Sequence, residues 1–299
     1  MTAPATLEAA AGPMVRAGRL GGRYAFWRRF LRHTGALTGG CLLALLVGMA
    51  VFAPWVAPFD PLAVNPLRIL EPPAWPNLFG TDTVGRDLLS RVIHGARYSL
   101  WLGFVSVAIS LTLGTTLGVL AGYRGGWTDT LISRLIDVLL AFPGLLLTML
   151  AIFTLGPSLV NAMIAIGVAG SPSFARVVRA EVLAAREHLY VDAARTIGAR
   201  DGAIMFRHIL PNVIAPAIVI STLRIGTAVI YGASLSYLGL GAQAPAPEWG
   251  LLLNQGRSFM SVAWWLSFFP GLAVMTTVLA TNLLGDGLRD LLDPRLRRG

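Results

Sequence analysis

Apolar residues dominate six stretches of the chain, each poor in charged side chains. An α-helix rises about 1.5 Å per residue, so that about 20 residues cross the roughly 30 Å of hydrocarbon in a bilayer. The fourth stretch has the weakest pattern, because Gly170, Pro172 and Arg176 interrupt it. The pattern predicts an all-α, polytopic membrane protein with six transmembrane helices, at residues 35–57, 99–122, 136–155, 158–174, 212–239 and 261–284.

The arginine residues are distributed unevenly among the loops that join these predicted spans. All 24 basic residues are Arg, and most of them precede the first span, follow the last, or lie after the second and fourth spans. Because cytoplasmic loops carry excess positive charge, both termini are predicted to be cytoplasmic. The same bias accounts for the net charge of +9, so no nucleic-acid partner is predicted.

This orientation divides the chain into segments of predicted location. The first apolar stretch is interpreted as an uncleaved anchor, since 34 residues precede it and it is longer than the apolar region of a typical signal peptide. The predicted segments, in chain order, are a cytoplasmic tail at 1–34, an anchor helix at 35–57, a periplasmic segment at 58–97, a five-helix core at 98–287 that includes a long cytoplasmic segment at 176–211, and a cytoplasmic tail at 288–299.

Composition supports a membrane location and excludes several chemistries. Of the 299 residues 55% are hydrophobic and 13% charged, with a mean hydropathy of +0.66, which is too apolar for an ordinary soluble domain. The chain has no Lys, which a phosphate-binding P-loop and a Schiff-base enzyme both require. With a single Cys at Cys41, four scattered His residues and no Gly-x-Ser-x-Gly sequence, neither a catalytic site nor a metal site is predicted.

Small residues recur at every fourth position of the second predicted span, at Ser106, Ser110, Gly114, Gly118 and Gly122. This spacing places them on one face of a helix, where the three glycines in particular would let another helix pack closely. Proline removes a backbone hydrogen bond from a helix, so two further prolines are predicted to bend the third and sixth spans; these are Pro143 and Pro270.

Arg224 is the one ionisable residue predicted to lie deep in a span, about 12 residues or roughly 18 Å into the fifth. A charge at that depth is costly, which makes the position a functional candidate. Two interpretations stay open: Arg224 faces a translocation path and contacts a peptide carboxylate or carbonyl, or it pairs with carbonyls or with a carboxylate of a neighbouring subunit. The missing acids and histidines at mid-span argue against a proton-coupled transporter.

The cytoplasmic segment at 176–211 has the pattern of short, interrupted helices. Residues 190–198 form two helical turns that end at Gly198, a residue that tolerates a left-handed C-cap. Asp201 is predicted to cap the next helix, and Pro211 to close it before the fifth span.

The same segment resembles the EAA loop in the transmembrane subunits of bacterial ABC importers. In that family the loop forms a coupling helix that inserts into a cleft of the ATPase subunit. This chain departs from the family at Asp192, where Glu is usual, and at His208, where Ile is frequent. The resemblance implies that coupling to an ATPase depends on Asp192, Ala193, Ala194, Gly198, Leu210 and Pro211.

Further motifs are similar to the C-type permease subunit of dipeptide, oligopeptide and nickel importers. Two positions differ from many members: Ser171, where Trp is frequent, and Gly232, where an acid is frequent. The motifs are FGTDTVGRD at 79–87, AGYRGG at 121–126, DVLLAFP at 137–143, LSYLGLG at 235–241 and NLLGDGLRD at 282–290.

This second resemblance implies a type I ABC importer permease fold in the bacterial inner membrane. The implied function is passage of di- or oligopeptides from the periplasm to the cytoplasm by a non-catalytic subunit that binds no cofactor. The implied partners are a homologous B-type permease, two cytoplasmic ATPases that use ATP and Mg, a periplasmic solute-binding protein and membrane lipid. A nickel chelate or a glutathione-like solute stays open as cargo, and a self-sufficient secondary transporter is the alternative from another class.

Overall fold

The computed structural model describes residues 28–292, which are mainly helical. Within that range there is no β-strand, and a single isolated bridge joins Thr81 to Asp87. The predicted tails at 1–34 and 288–299 lie largely outside the described residues. After a short helical stretch at 28–32, the helices are α1 (Thr34–Val51), α2 (Ala53–Val56), α3 (Leu88–Arg124), α4 (Gly126–Leu140), α5 (Gly144–Leu155), α6 (Leu159–Ala185), α7 (Leu189–Thr196), α8 (Asp201–Ala203), α9 (Leu210–Tyr237), α10 (Trp249–Gly256) and α11 (Trp265–Leu292).

Several of these helices are long and apolar enough to cross a membrane. Among the residues described, four qualify by length and composition: α1, α3, the helix from Asp201 to Tyr237 that contains α9, and α11. The pair α4 and α5 makes a fifth candidate, with a bend of 96° at the break that contains Pro143. The remaining predicted span coincides with α6, which has 27 residues but does not reach the same apolarity, so the count of six stays a prediction.

The small-residue face of α3 lies directly against α6. A methyl group added at Gly114 would meet the Ser171 carbonyl oxygen at 2.5 Å, and one added at Gly122 would meet the Arg179 carbonyl oxygen at 2.9 Å. The Ser110 hydroxyl donates to the Gly167 carbonyl at 2.7 Å across the same contact. Lipid tails give no hydrophobic drive for two apolar helices to associate, so this close backbone approach is what stabilises the pair.

At the end of the bundle where α3 begins, a buried polar network fixes the non-helical residues 57–87. The Asp82 carboxylate binds the guanidinium groups of Arg86, at 2.7 Å, and of Arg91, which is fully buried. Asp87 caps α3 by accepting from the Ser90 backbone N–H at 2.8 Å, and it also accepts from Asn77. Burial raises the pKa of Asp82, but hydrogen bonds from Arg86 and the charge of Arg91 outweigh it and hold that pKa below its ordinary value.

Helix α10 packs against the N-terminal end of α3. We call this end of the bundle the α10 end. Glu248 caps α10 by accepting from the backbone N–H groups of Gly250 and Leu251, and the Ser99 hydroxyl of α3 donates to it at 3.1 Å. Burial is the main cause of a raised pKa at Glu248. The Trp249 indole donates to the Val92 carbonyl at 2.9 Å, so α3 and α10 move together.

Substitution of Gly118 tests the contact between α3 and α6. A Cβ there would lie 2.7 Å from the Ala175 carbonyl oxygen, so Gly118→Leu should lower the free energy of unfolding by about 1–3 kcal/mol through overpacking. Thermal unfolding of the purified protein in detergent measures this loss. Gly48→Leu on α1 is the matched control, because nothing lies within 4 Å of its added Cβ. Equal losses from both variants would contradict the packing described.

Substitution of Asp82 tests the buried network. Asp82→Asn leaves the Arg91 guanidinium buried without its counter-charge and should cost about 3–5 kcal/mol of unfolding free energy. Glu71→Gln is the control, since the pair of Glu71 with Arg68 is more than one-third exposed and should cost less than about 1 kcal/mol.

The pH dependence provides a second measurement on the same network. The folded pKa of Asp82 lies below its ordinary value of 3.8, so its stabilisation is complete at neutral pH and is lost as the pH falls through the lowered pKa. An Asp82→Asn variant with the same free energy of unfolding as the wild type at pH 7 would show that the network contributes nothing to stability.

Candidate coupling surface and membrane cavity

Helix α7 has one face inside the protein and one face open. Val191 and Ala194 are buried in the core cluster that also contains residues of α3, α6 and α9. On the outer face, Leu189 is 86% exposed and Ile197 82% exposed, which is unusual for large apolar side chains. Ala193 is exposed beside them. Helix α7 therefore presents exposed apolar surface on one face while its other face is anchored to the bundle.

The structure separates the two alanines that the sequence placed together. Ala194 packs inward, so that only Ala193 of the two lies on the exposed face of α7. Asp192 is exposed and accepts from the Arg195 guanidinium at 3.2 Å, one helical turn further on.

The end of α7 has a Schellman geometry. Gly198 has a φ of +77°, and its N–H donates to the Arg195 carbonyl at 2.9 Å. The next N–H, from Ala199, donates to the Ala194 carbonyl at 3.1 Å. A positive φ is the left-handed conformation that Gly adopts without steric cost, as the sequence predicted for this C-cap. Nothing lies within 4 Å of an added Cβ at Gly198, so the turn is open to a partner.

The segment after α7 is tied to α3 by a side-chain hydrogen bond. Tyr123 is one residue before the end of α3. Its hydroxyl donates to the Asp201 carboxylate at 2.7 Å, and the Arg195 guanidinium lies 5.8 Å from the centre of its ring. Asp201 is therefore not the predicted N-cap: Arg200 holds that position, with no side-chain capping bond. The Asp201 carboxylate binds α3 instead, a partner that local spacing could not reveal.

The structure also shows how the predicted segment at 176–211 joins the helices on either side of it. Residues 176–185 continue α6, which does not stop at the predicted end of the span. Pro211 does not close a helix but lies in the first turn of α9, where its missing N–H is tolerated. A π-helical stretch, Ile204–Ile209, joins α8 to α9 and lets the chain pass through Pro211 without a break. Leu210 is half-buried and packs against the core.

Arg224 lies in a cavity of about 160 Å³ among α3, α6, α9 and the break between α4 and α5. The lining of this cavity includes Ser106, Gly144 and Tyr231, besides Arg224 itself. The Arg224 guanidinium makes no hydrogen bond or ion pair with any other residue of the described range. Both interpretations of Arg224, the translocation path and the pairing with a neighbouring subunit, stay predictions. An acid of a neighbouring subunit stays open as its partner.

Two parts of this arrangement were not predicted as sites. The Tyr123–Asp201 bond joins the AGYRGG motif to a residue for which the sequence predicts only a capping role. The Asp82 network is signalled by the alternating acids and arginines of residues 82–91, but their pairing depends on the fold of residues 57–87. Both need contacts between distant residues, which motif reading does not supply.

Comparison with protein-family models gives two matches. Residues 114–298 match the model described as "Binding-protein-dependent transport system inner membrane component". Residues 24–73 match the "N-terminal TM domain of oligopeptide transport permease C".

Curated relatives cover nearly the whole chain. A glutathione transport system permease protein of Pectobacterium atrosepticum is 46% identical over 91% of each chain. A dipeptide transport system permease protein of Alkalihalophilus pseudofirmus is 47% identical over 91% of this chain and 89% of its own length. A di/tripeptide transport system permease protein of Pseudomonas aeruginosa is 47% identical over 91% of this chain and 92% of its own length.

A solved structure has the same fold at low identity. It is an inward-facing conformation of the MetNI methionine ABC transporter, with a TM-score of 0.55 and 20% identity over 69% of this chain and 98% of that chain. At this identity the match supports the fold alone. Because the family model covers more than half of the chain and the relatives cover nearly all of it, the chain belongs to the inner membrane components of binding-protein-dependent transport systems.

Proposed function

We propose that the chain is the C-type permease subunit of an ATP-driven importer that passes di- or oligopeptides from the periplasm to the cytoplasm. The single observation that carries the mechanism is the divided surface of α7, buried at Val191 and exposed at Leu189, Asp192, Ala193 and Ile197. The proposed cargo follows from the similarity to transport system permeases for dipeptides, di- and tripeptides and glutathione. Both termini are cytoplasmic in this proposal, which places α7 on the cytoplasmic side.

The proposed assembly contains four kinds of partner around this chain. A homologous B-type permease completes the membrane part, and two ATPases that bind ATP and Mg dock onto the exposed face of α7. A periplasmic solute-binding protein delivers the peptide at the α10 end, and lipid surrounds the spans. Binding of ATP closes the ATPase pair and displaces α7, which biases the spans between two access states.

The connection from α7 to the spans follows a continuous set of contacts. Displacement of α7 pulls Asp201 through the following turn, and Asp201 is bonded to Tyr123 at the end of α3. Helix α3 in turn packs backbone to backbone with α6 through Gly118. A rigid helix of 37 residues carries such a displacement across the whole membrane.

A glutathione-like cargo is the second candidate, favoured by the 46% identity to a glutathione permease. Glutathione is itself a peptide with free carboxylates, so the two cargoes require the same chemistry in the membrane. A self-sufficient secondary transporter is disfavoured, because none of the residues that line the described cavity is Asp, Glu or His to relay a proton.

Two substitutions in α7 test the coupling. Asp192→Arg reverses the exposed charge, and Gly198→Leu forces a branched side chain into a left-handed turn that faces the partner. We expect ATP-dependent uptake of a radiolabelled dipeptide by the reconstituted complex to fall roughly tenfold or more, while ATP hydrolysis continues. Both rates are measured in the same proteoliposomes.

The matched control for Gly198 is Gly202→Leu. Gly202 is also exposed with nothing within 4 Å of an added Cβ, but its φ is ordinary, so uptake should stay near the wild-type rate. Normal uptake by both α7 variants at equal expression would refute the coupling role. No ATP-dependent dipeptide uptake by the wild-type complex would refute the proposed function.

Removal of one hydroxyl tests the connection between α7 and α3. Tyr123→Phe deletes the bond to Asp201 and keeps the ring, so the ratio of peptides imported to ATP hydrolysed should fall several-fold, roughly 5-fold or more. Tyr98→Phe removes a hydroxyl from a more exposed tyrosine of the same helix, α3, and should leave the ratio unchanged. An unchanged ratio in Tyr123→Phe would mean that movement reaches α3 by another route.

A further inference from the structure

The cavity that contains Arg224 lies where the bent span is broken. Its walls come from α3, α6 and α9, and from the ends of α4 and α5 that meet at the break, with Phe142 and Gly144 in the lining. At about 160 Å³ it has room for a small polar group and its water, though not for a long peptide in full. None of its lining residues is acidic.

Two sources of positive potential meet at this cavity. The first is the Arg224 guanidinium, which has no counter-charge among the residues described. The second is the N-terminus of α5, a 12-residue helix that begins at Gly144 and has no side-chain cap. The first N–H groups of a helix carry partial positive charge and favour anions, and broken spans of transporters use such ends for anionic groups of solutes.

Unsatisfied hydroxyl groups lie in the same walls. Ser106 is 0% exposed, lines the cavity, and its Oγ has no hydrogen-bond partner in the described structure. Tyr231 lies against the start of α5, since a Cβ on Gly144 would come within 3.2 Å of the Tyr231 hydroxyl. A buried hydroxyl without a partner is costly, so the site lacks a hydrogen-bonding group beside Ser106, a place that an acceptor of a solute would fill.

We propose that this cavity is a binding site for a carboxylate group of the solute during translocation. Arg224 supplies the charge, the N-terminus of α5 supplies backbone donors, and the hydroxyl of Ser106 or Tyr231 supplies a further donor. A carboxylate accepts several hydrogen bonds at once and bears the charge that this site lacks. The identification of this group as the terminal carboxylate of a peptide rests on the proposed function; the preference for an anion does not.

A single thiol in the cavity allows the preference of the cavity for anions over cations to be measured directly. Cys41 is the chain's one cysteine, so Cys41→Ser combined with Ser173→Cys leaves a single thiol, in the lining. The assembled transporter, with its native partner subunits in inside-out membrane vesicles, is treated with an anionic or a cationic methanethiosulfonate reagent of similar size. The mass of this chain then gives the two labelling rates.

The anionic reagent should react roughly tenfold faster than the cationic one. Arg224→Gln should bring the ratio of rates close to one, and Arg224→Lys should keep most of it. Any change in the ionisation of the thiol affects both reagents equally and cancels in the ratio. Arg134→Gln is the matched control, an exposed arginine of α4 outside the cavity, and it should leave the ratio unchanged.

Protection by solute supplies a readout that needs no Arg224 variant. Saturating glycylglycine should slow labelling of the cavity thiol several-fold, whereas glycylglycine amide, which lacks the carboxylate, should not. Equal labelling rates for the two reagents would overturn the proposal. Equal rates are also expected if an acid of the partner permease already neutralises Arg224, and the proposal is wrong in that case as well. Equal protection by the peptide and its amide, or an unchanged ratio in Arg224→Gln, would overturn it as well.

The outcome is separable from that of the proposed function. Labelling requires neither ATP nor transport, so anion preference is observed even in a complex that imports no peptide. A wild-type complex that imports dipeptide but labels without charge preference refutes the carboxylate site alone. A complex that labels with anion preference and imports no peptide refutes the peptide cargo and leaves an anionic solute of another kind.

Discussion

The attachment of α7 to the bundle is the constraint on which the account depends. Val191 and Ala194 are buried in the core that α3 and α6 share, and Tyr123 bonds the following segment to the end of α3. Because these contacts occupy the inner face, the outer face with Leu189 and Ile197 stays exposed. A partner that moves α7 therefore also moves the membrane helices.

The close contact between α3 and α6 gives that movement a consequence inside the membrane. The same small-residue face that brings the two backbones together at Gly114 and Gly118 includes Ser106 and Ser110, which line the Arg224 cavity. A shift of α3 along α6 therefore changes the walls of the cavity. Packed interfaces tend to switch between discrete arrangements, which suits a subunit that alternates between two access states.

Local sequence patterns predicted much of the helical framework and the outline of the coupling segment. The stripe from Ser106 to Gly122, the break at Pro143 and the left-handed Gly198 each follow from the residue itself, through size, a missing N–H or a tolerated φ. The inward position of Ala194 and the bond of Asp201 to Tyr123 depend on contacts between distant residues, so spacing could not give them. The helical conformation continues into Pro211 because a π-helical stretch precedes it, and that stretch has no simple sequence signal.

Site-directed cross-linking tests the central claim most directly. In a Cys41→Ser chain, a cysteine at Ala193 on the exposed face of α7 is treated with a short bifunctional thiol reagent in native membrane vesicles. The account predicts capture of an ATP-hydrolysing subunit from Ala193, and none from a control cysteine at the exposed Ala63 near the α10 end. Capture of that subunit from Ala63, or from neither position, would contradict it.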